Sequence, residues 1–215
     1  MKLVLHNYWR SSASQRVRIG LYLKGLEFEY VVVNIVKNEN ASAEYKARNP
    51  LGQVPTLEVT EDDGTVHALT QSLPILEYLD ERWPDRPRLM PRDLYLRART
   101  RSLAEIVNSG IQPHQNLPTM AAVKGIGGDG MAWPVPFIAD GLAAFQRACS
   151  DVAGKFCVGD EPSIADCCLI PQLNAARRFG VDITKLDLLT GIEQRCLALP
   201  AFQQAAPERQ PDAVK

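Results

Sequence analysis

Strand patterns recur through the first 70 residues of this chain and then all but vanish. The change falls beside Trp83-Pro84-Asp85-Arg86-Pro87-Arg88-Leu89-Met90-Pro91, whose three prolines interrupt any regular element and mark a linker. Such a chain folds neither as one sheet nor as one helical bundle. It calls for an α/β domain over 1–83 followed by an all-helical domain over 91–215.

Within the first part, Lys2 to Asn7 predicts a strand, Ser11 to Lys24 a helix and Phe28 to Val33 a second strand. Val17, Gly20 and Leu21 share one side of that helix, and Ile19 and Leu23 lie on the other. A helix apolar on two faces is expected to be sandwiched. Ala41 to Arg48 predicts a short helix ended by Asn49-Pro50. Thr56 to Val59 and Thr65 to Leu69 flank Glu61-Asp62-Asp63-Gly64, a hairpin signal. Ser72 to Arg82 carries Ile75, Leu76 and Leu79 on one side, as an amphipathic helix does. The order βαβαββα predicts a four-stranded mixed sheet covered by helices.

Beyond the linker, helical patterns cover about 92–118, 134–152, 163–179 and 188–205. Four glycines between Gly125 and Gly130 predict a mobile loop. Ser163-Ile164-Ala165-Asp166 has the spacing of a capping box, and the apolar run from Ile164 to Leu173 marks the buried helix of this domain.

Composition narrows the function. The 215 residues are 46% hydrophobic and 23% charged, enough for a packed core, and the net charge is −1. No global field favours nucleic acid or an anionic membrane. No apolar run is long enough to cross a bilayer, and the apolar start is too short for a secretory signal, so a cytoplasmic protein is expected. Five cysteines (149, 157, 167, 168 and 196) form no Cys-x-x-Cys pair and read as reduced core residues; the three histidines are scattered. No metal site is expected.

Three local features have chemical potential. Ser11-Ser12-Ala13-Ser14 opens a helix, where unpaired N–H groups and the dipole stabilise a thiolate; helix capping is the plainer reading of the serines alone. Val54-Pro55, if cis, would turn the Val54 backbone outward to pair with a peptide-like ligand; an ordinary extended residue before proline is the plainer reading. Gln71-Ser72 precedes a helix, with Ser72 as N-cap or as part of a carboxylate site.

Taken in order, these features resemble the zeta class of glutathione transferases, and most of all its maleylacetoacetate and maleylpyruvate isomerases. The resemblance is carried by Tyr8-Trp9-Arg10-Ser11-Ser12-Ala13-Ser14-Gln15-Arg16-Val17-Arg18-Ile19, Asn49-Pro50, Gln53-Val54-Pro55-Thr56-Leu57 and Gln71-Ser72-Leu73-Pro74-Ile75. It continues through Gly110-Ile111-Gln112-Pro113-His114-Gln115-Asn116-Leu117, Val158-Gly159-Asp160-Glu161-Pro162 and Arg177-Arg178-Phe179. It implies the glutathione transferase fold, a thioredoxin-like domain plus an all-α domain, with glutathione as cofactor and a homodimer as the assembly. Carried over, Ser11, Ser12, Ala13, Ser14, Gln15 and Arg16 surround the sulfur end or support its loop. Val54 pairs with the cysteinyl backbone, Gln71 and Ser72 hold the γ-glutamyl end, and Asn40 lies near the glycyl end. Gln112 and Asn116 come from the helical domain or its dimer neighbour, and Arg178, with Arg177 as the other candidate, anchors a substrate carboxylate. Ser11, Ser12 and Arg178 are the implied catalytic set.

The implied reaction is a glutathione-dependent cis–trans isomerisation of maleylacetoacetate, in tyrosine and phenylalanine breakdown. Maleylpyruvate is the close rival substrate. A transferase that conjugates or dehalogenates small electrophiles, and a binding module without turnover, are the further alternatives. This chain departs from the family at Ala13, where a cysteine is usual, and at Gln15, where an aromatic residue or histidine is usual. The implied nucleophile belongs to the cofactor, so the missing cysteine bears on substrate choice.

Overall fold

The structure, a computed structural model, describes residues 1–214. Its first elements are β1 (Lys2–Asn7), α1 (Ser12–Leu23), β2 (Glu29–Val32), α2 (Ala43–Arg48), β3 (Thr56–Thr60), β4 (Val66–Thr70) and α3 (Ser72–Arg82). The strands form one mixed sheet in the order β2-β1-β3-β4. β1 runs parallel to β2, which requires a crossover, and α1 supplies it. β3 runs antiparallel to β1 and to β4, with Leu5 opposite Leu57 and Leu57 opposite Leu69. Leu3, Leu5, Leu57 and Val59 alternate onto one buried face. On the other face His6 meets Glu58 at 2.9 Å, and Arg48 of α2 holds the same carboxylate at 2.9 Å. The βαβαββα expectation is met.

Helix α1 is sandwiched, as its two apolar faces predict: it packs on α3 and on α9 (Pro200–Gln204). Gly20 marks the closest approach to α3, since a Cβ there would run into Leu76 Cδ2. Less expected is that Arg16, Arg18 and Lys24 are also fully buried in this sandwich.

The chain divides into two compact units, Met1–Leu89 joined by residues 199–214, and Met90–Ala198. The helical unit holds α4 (Leu94–Asn108), α5 (Leu117–Gly125), α6 (Pro134–Cys149), α7 (Ile164–Arg178) and α8 (Asp187–Leu197). The C-terminal segment thus groups with the α/β unit, not with the helical domain expected to run from 91 to 215. Two expected helices are split. The 92–118 pattern ends at Asn108, and residues 112–115 form a 3-10 turn before α5 begins. A Cβ at Gly110 would lie 2.7 Å from the Ile106 carbonyl, so the chain turns where only glycine fits. The 188–205 pattern breaks before Pro200, and its second half, α9, leaves for the first unit. The four-glycine segment is folded onto α5: Gly128 N–H reaches the Val123 carbonyl at 2.9 Å, and a Cβ at Gly130 would strike the Met120 carbonyl. Asp166 plays its capping role, accepting from Ser163 N–H at 2.8 Å and also from Cys157 N–H at 2.9 Å.

Candidate functional site: two helix ends and a turn

Ser11 is the N-cap of α1 in extended backbone, and its Oγ accepts from Ser14 N–H at 3.2 Å. Capping and ligand binding are therefore compatible here. The hydroxyl caps through a lone pair, and its proton finds no acceptor among the described residues. The N–H groups of Ser12 and Ala13, in the first turn, likewise meet no partner among the described residues. Ser11, Ser12 and Ala13 are half-buried, whereas Ser14, Gln15 and Arg16 are buried. The first three positions of the run reach the surface, and the next three lie behind them, where they can support the loop.

Arg16 turns elsewhere. Its Nη1 donates to Ser72 Oγ at 3.1 Å, tying the start of α1 to the start of α3. Ser72 is the first helical residue of α3, and the N-cap is Gln71. This corrects the expectation of Ser72 as cap: its hydroxyl serves Arg16. Gln71 holds a φ of 67°, uncommon for a residue with a side chain. Such backbone persists where the surroundings over-determine it, often at ligand clamps. Gln71 Nε2 lies 3.3 Å from Gln53 Oε1.

Gln53 begins the third component. The Val54-Pro55 bond is cis. The turn before it is fixed by its carbonyls: Asn40 Nδ2 donates to Gly52 O at 2.7 Å, and both Asn49 Nδ2 and Tyr45 Oη donate to Gln53 O at 2.7 Å. Gly52 has φ +59°, and a Cβ there would lie 2.7 Å from the Asn40 carbonyl. The Val54 N–H and C=O take no backbone partner among the described residues. Asn40 thus buttresses the turn that offers Val54.

In the helical unit, Gln112 Nε2 donates to Asn116 Oδ1 at 2.5 Å. Next to them His114 stacks on Phe137, centroids 3.6 Å apart, with Trp133 tilted against both rings. The two adjacent arginines part company. Arg177 makes a bidentate pair with Glu193 at 2.5 and 2.6 Å, which raises its pKa further. Arg178 is exposed, with its guanidinium 5.2 Å over the Phe179 ring. The five cysteines are free and buried, and burial pushes the thiols of Cys157, Cys167 and Cys196 up, so these three are not activated nucleophiles.

Sequence reasoning passed over Gln53, Arg18, Tyr30 and Asp212. The one available signal was the pair Arg16 and Arg18, two charges two residues apart on a helix whose both faces are otherwise apolar.

A mixed sheet with two open helix ends and an outward-facing turn defines a glutathione transferase domain. Residues 10–82 match the family described as glutathione S-transferase, N-terminal domain. The maleylacetoacetate isomerase of Rhizobium meliloti (strain 1021) is 45% identical over 211 residues, 96% of this chain and 96% of that protein. A maleylacetoacetate isomerase from Anaeromyxobacter dehalogenans 2CP-1 was solved with glutathione in its active site. It is 50% identical, with a TM-score of 0.91 over 99% of this chain and 98% of that one. A second structure of it holds dicarboxyethyl glutathione and citrate. A bacterial maleyl pyruvate isomerase of the zeta class is 38% identical, with a TM-score of 0.90 over 98% of this chain and all of that one. This chain belongs to the zeta-class glutathione transferase and maleylacetoacetate isomerase family.

Proposed function

We propose that this protein is a glutathione-dependent cis–trans isomerase of maleylacetoacetate. The observation that carries the reading is the start of α1, where Ser11 caps the helix and still has a proton to give. The residues present fit glutathione. Val54 offers a peptide edge to its cysteinyl unit, and the N–H groups of Ser72 and Leu73, unpaired among the described residues, offer a carboxylate site to its γ-glutamyl end. When bound, glutathione supplies the thiolate that adds reversibly to the conjugated double bond.

The chain's own residues hold that thiolate in its charged form. The Ser11 hydroxyl donates to it, and the Ser12 and Ala13 N–H groups and the α1 dipole favour negative charge. Ser12 completes the polar rim. Arg16, behind Ser72, adds a buried positive charge beside the carboxylate site. Arg178, exposed at the end of α7, anchors a substrate carboxylate. Gln112 and Asn116, held by each other, are polar groups that the helical unit contributes. Ala13 leaves that position small and apolar, which admits maleylpyruvate as the rival substrate.

The α/β unit is the glutathione-binding domain and the helical unit the substrate-binding one. A cytoplasmic homodimer is the proposed state. Five free cysteines suit a reducing compartment, and Leu94 and Tyr95, 81% and 62% exposed on α4, are apolar surface that a second copy would cover.

The test is turnover of maleylacetone followed by absorbance, with and without glutathione. Glutathione-dependent loss of the cis compound is expected; binding of glutathione without turnover overturns the reading. Arg178→Ala is expected to raise KM for dicarboxylates by about tenfold and to spare uncharged electrophiles.

A further inference from the structure

The C-terminal segment returns to the loop that presents Ser11, and its carboxylate at position 212 ends there. Asp212 Oδ2 accepts from Trp9 N–H at 3.0 Å. The Trp9 carbonyl is held from the other side by Arg18 Nη2 at 2.9 Å. Both polar groups of the Trp9 peptide are thereby fixed. Arg18 Nη1 also reaches the Tyr8 carbonyl at 3.4 Å, the same oxygen that accepts from Ser11 N–H at 3.1 Å. Only Arg10 separates the clamped Trp9 from Ser11.

The clamp is itself anchored. Arg18 donates to Asn7 Oδ1 at 2.9 Å and to the Ala205 carbonyl at 3.3 and 3.4 Å. Tyr30 Oη of β2 donates to Asp212 Oδ1 at 2.6 Å. The segment is built as well as placed: Phe202 and Ala205 are buried, and Gln210 Nε2 donates to the Gln204 and Ala206 carbonyls at 2.8 Å each. Charge ties the pieces together. Arg18 is fully buried, and desolvation brings its pKa down to about 10 against the opposing pull of Tyr30, Asp212 and Tyr22. A buried guanidinium without a carboxylate nearby is costly, so Asp212 does more than satisfy one N–H.

We propose that Asp212 and Arg18 are positioning residues for the glutathione thiol, clamping the loop before α1 so that the Ser11 hydroxyl and the first N–H groups meet the sulfur. The inference rests on the role given to Ser11 above. It makes the end of the chain, 203 positions away from Trp9, part of the catalytic geometry. A misplacement of about 1 Å at a reacting centre can cost about a hundredfold in rate.

The experiment uses the full chain with glutathione as probe. The pKa of the bound thiol is titrated by its ultraviolet thiolate absorbance. kcat and KM for glutathione are measured with maleylacetone, and thermal midpoints are recorded in parallel. Asp212→Ala is expected to raise the bound thiol pKa by about one unit and to lower kcat about tenfold at pH values below that pKa. KM for glutathione should stay within about twofold, because Val54 and Ser72 are untouched. Tyr30→Phe leaves the Trp9 contact in place and should move the thiol less; Asp212→Glu should recover part of the loss. A lower thermal midpoint with thiol pKa and kcat unchanged overturns the proposal. If Asp212→Ala fails to fold, Asp212→Asn and Tyr30→Phe decide, and wild-type titrations in both overturn it. Ser11→Ala runs alongside. If it shifts the thiol and the Asp212 variants do not, the positioning role alone fails; if it shifts nothing, the Ser11 reading fails and the positioning role with it.

Discussion

The two ends of helix α1 treat their polar groups in opposite ways. At the C-terminal end, Lys24 is fully buried and its ammonium is consumed: it donates to Asp80 Oδ1 at 3.1 Å, to the Asp80 carbonyl at 3.3 Å and to the Trp83 carbonyl at 2.9 Å. Asp80 Oδ1 also accepts from Leu89 N–H at 2.7 Å, which fixes the exit from α3. At the N-terminal end the Ser11 proton and the first N–H groups are left over, at positions only half-buried. Donors paired in the interior serve architecture, whereas donors at half-buried positions are free to meet a ligand or water. One helix thus shows its structural end and its chemical end side by side.

Removing the Lys24 side chain is the most severe way to break this contrast. Lys24→Ala leaves Asp80 charged and buried, and is expected to cost about 3–5 kcal/mol of stability. Denaturant unfolding would measure it. In the fraction still folded, the titration of bound glutathione should match the wild type; a matching shift would mean the two ends are coupled.

Ser11→Ala is the converse. Loss of the cap is expected to cost about 1 kcal/mol of stability. The bound thiol should rise by about one pKa unit, which at pH values below that pKa is about a tenfold loss of activity. The sign follows from the lost donor: the hydrogen bond favours the thiolate, so its removal favours the thiol, and activity recovers as pH is raised. An unchanged thiolate titration would reduce Ser11 to a cap.

The smallest effect sharpens the comparison at α3. Gln71→Gly relieves a positive φ at the other open helix end and is expected to raise stability by about 0.5 kcal/mol, while KM for glutathione rises. A loss of stability instead would show that the Gln71 side chain, through Gln53, contributes more than its backbone costs.

Much of this was legible in the sequence, and for local reasons. The period of the apolar residues, Gly25, the hairpin glycine and the linker prolines set the order βαβαββα and the change to helices. Ser11 as a cap and Val54-Pro55 as a turn follow from residue types over a few positions. Other features depended on partners far along the chain. Ser14, Gln15 and Arg16 sit in the same motif as Ser11, yet they turn inward, and Arg16 finds Ser72 56 positions away. The helix read over 188–205 is two helices in two different units, because periodicity does not report which body a face will pack on.

The sequence alone determined the order βαβαββα, the change to helices and the family. These are written in short-range patterns, each enforced by backbone geometry and by burial of one face. Tertiary structure decided which charges are interior and which donors remain unpaired. A guanidinium such as that of Arg18 reads as a solvated charge until Asn7, Trp9, Ala205 and Asp212 surround it. The cost of burying a charge is set by the three-dimensional set of partners, and a linear pattern does not contain that set.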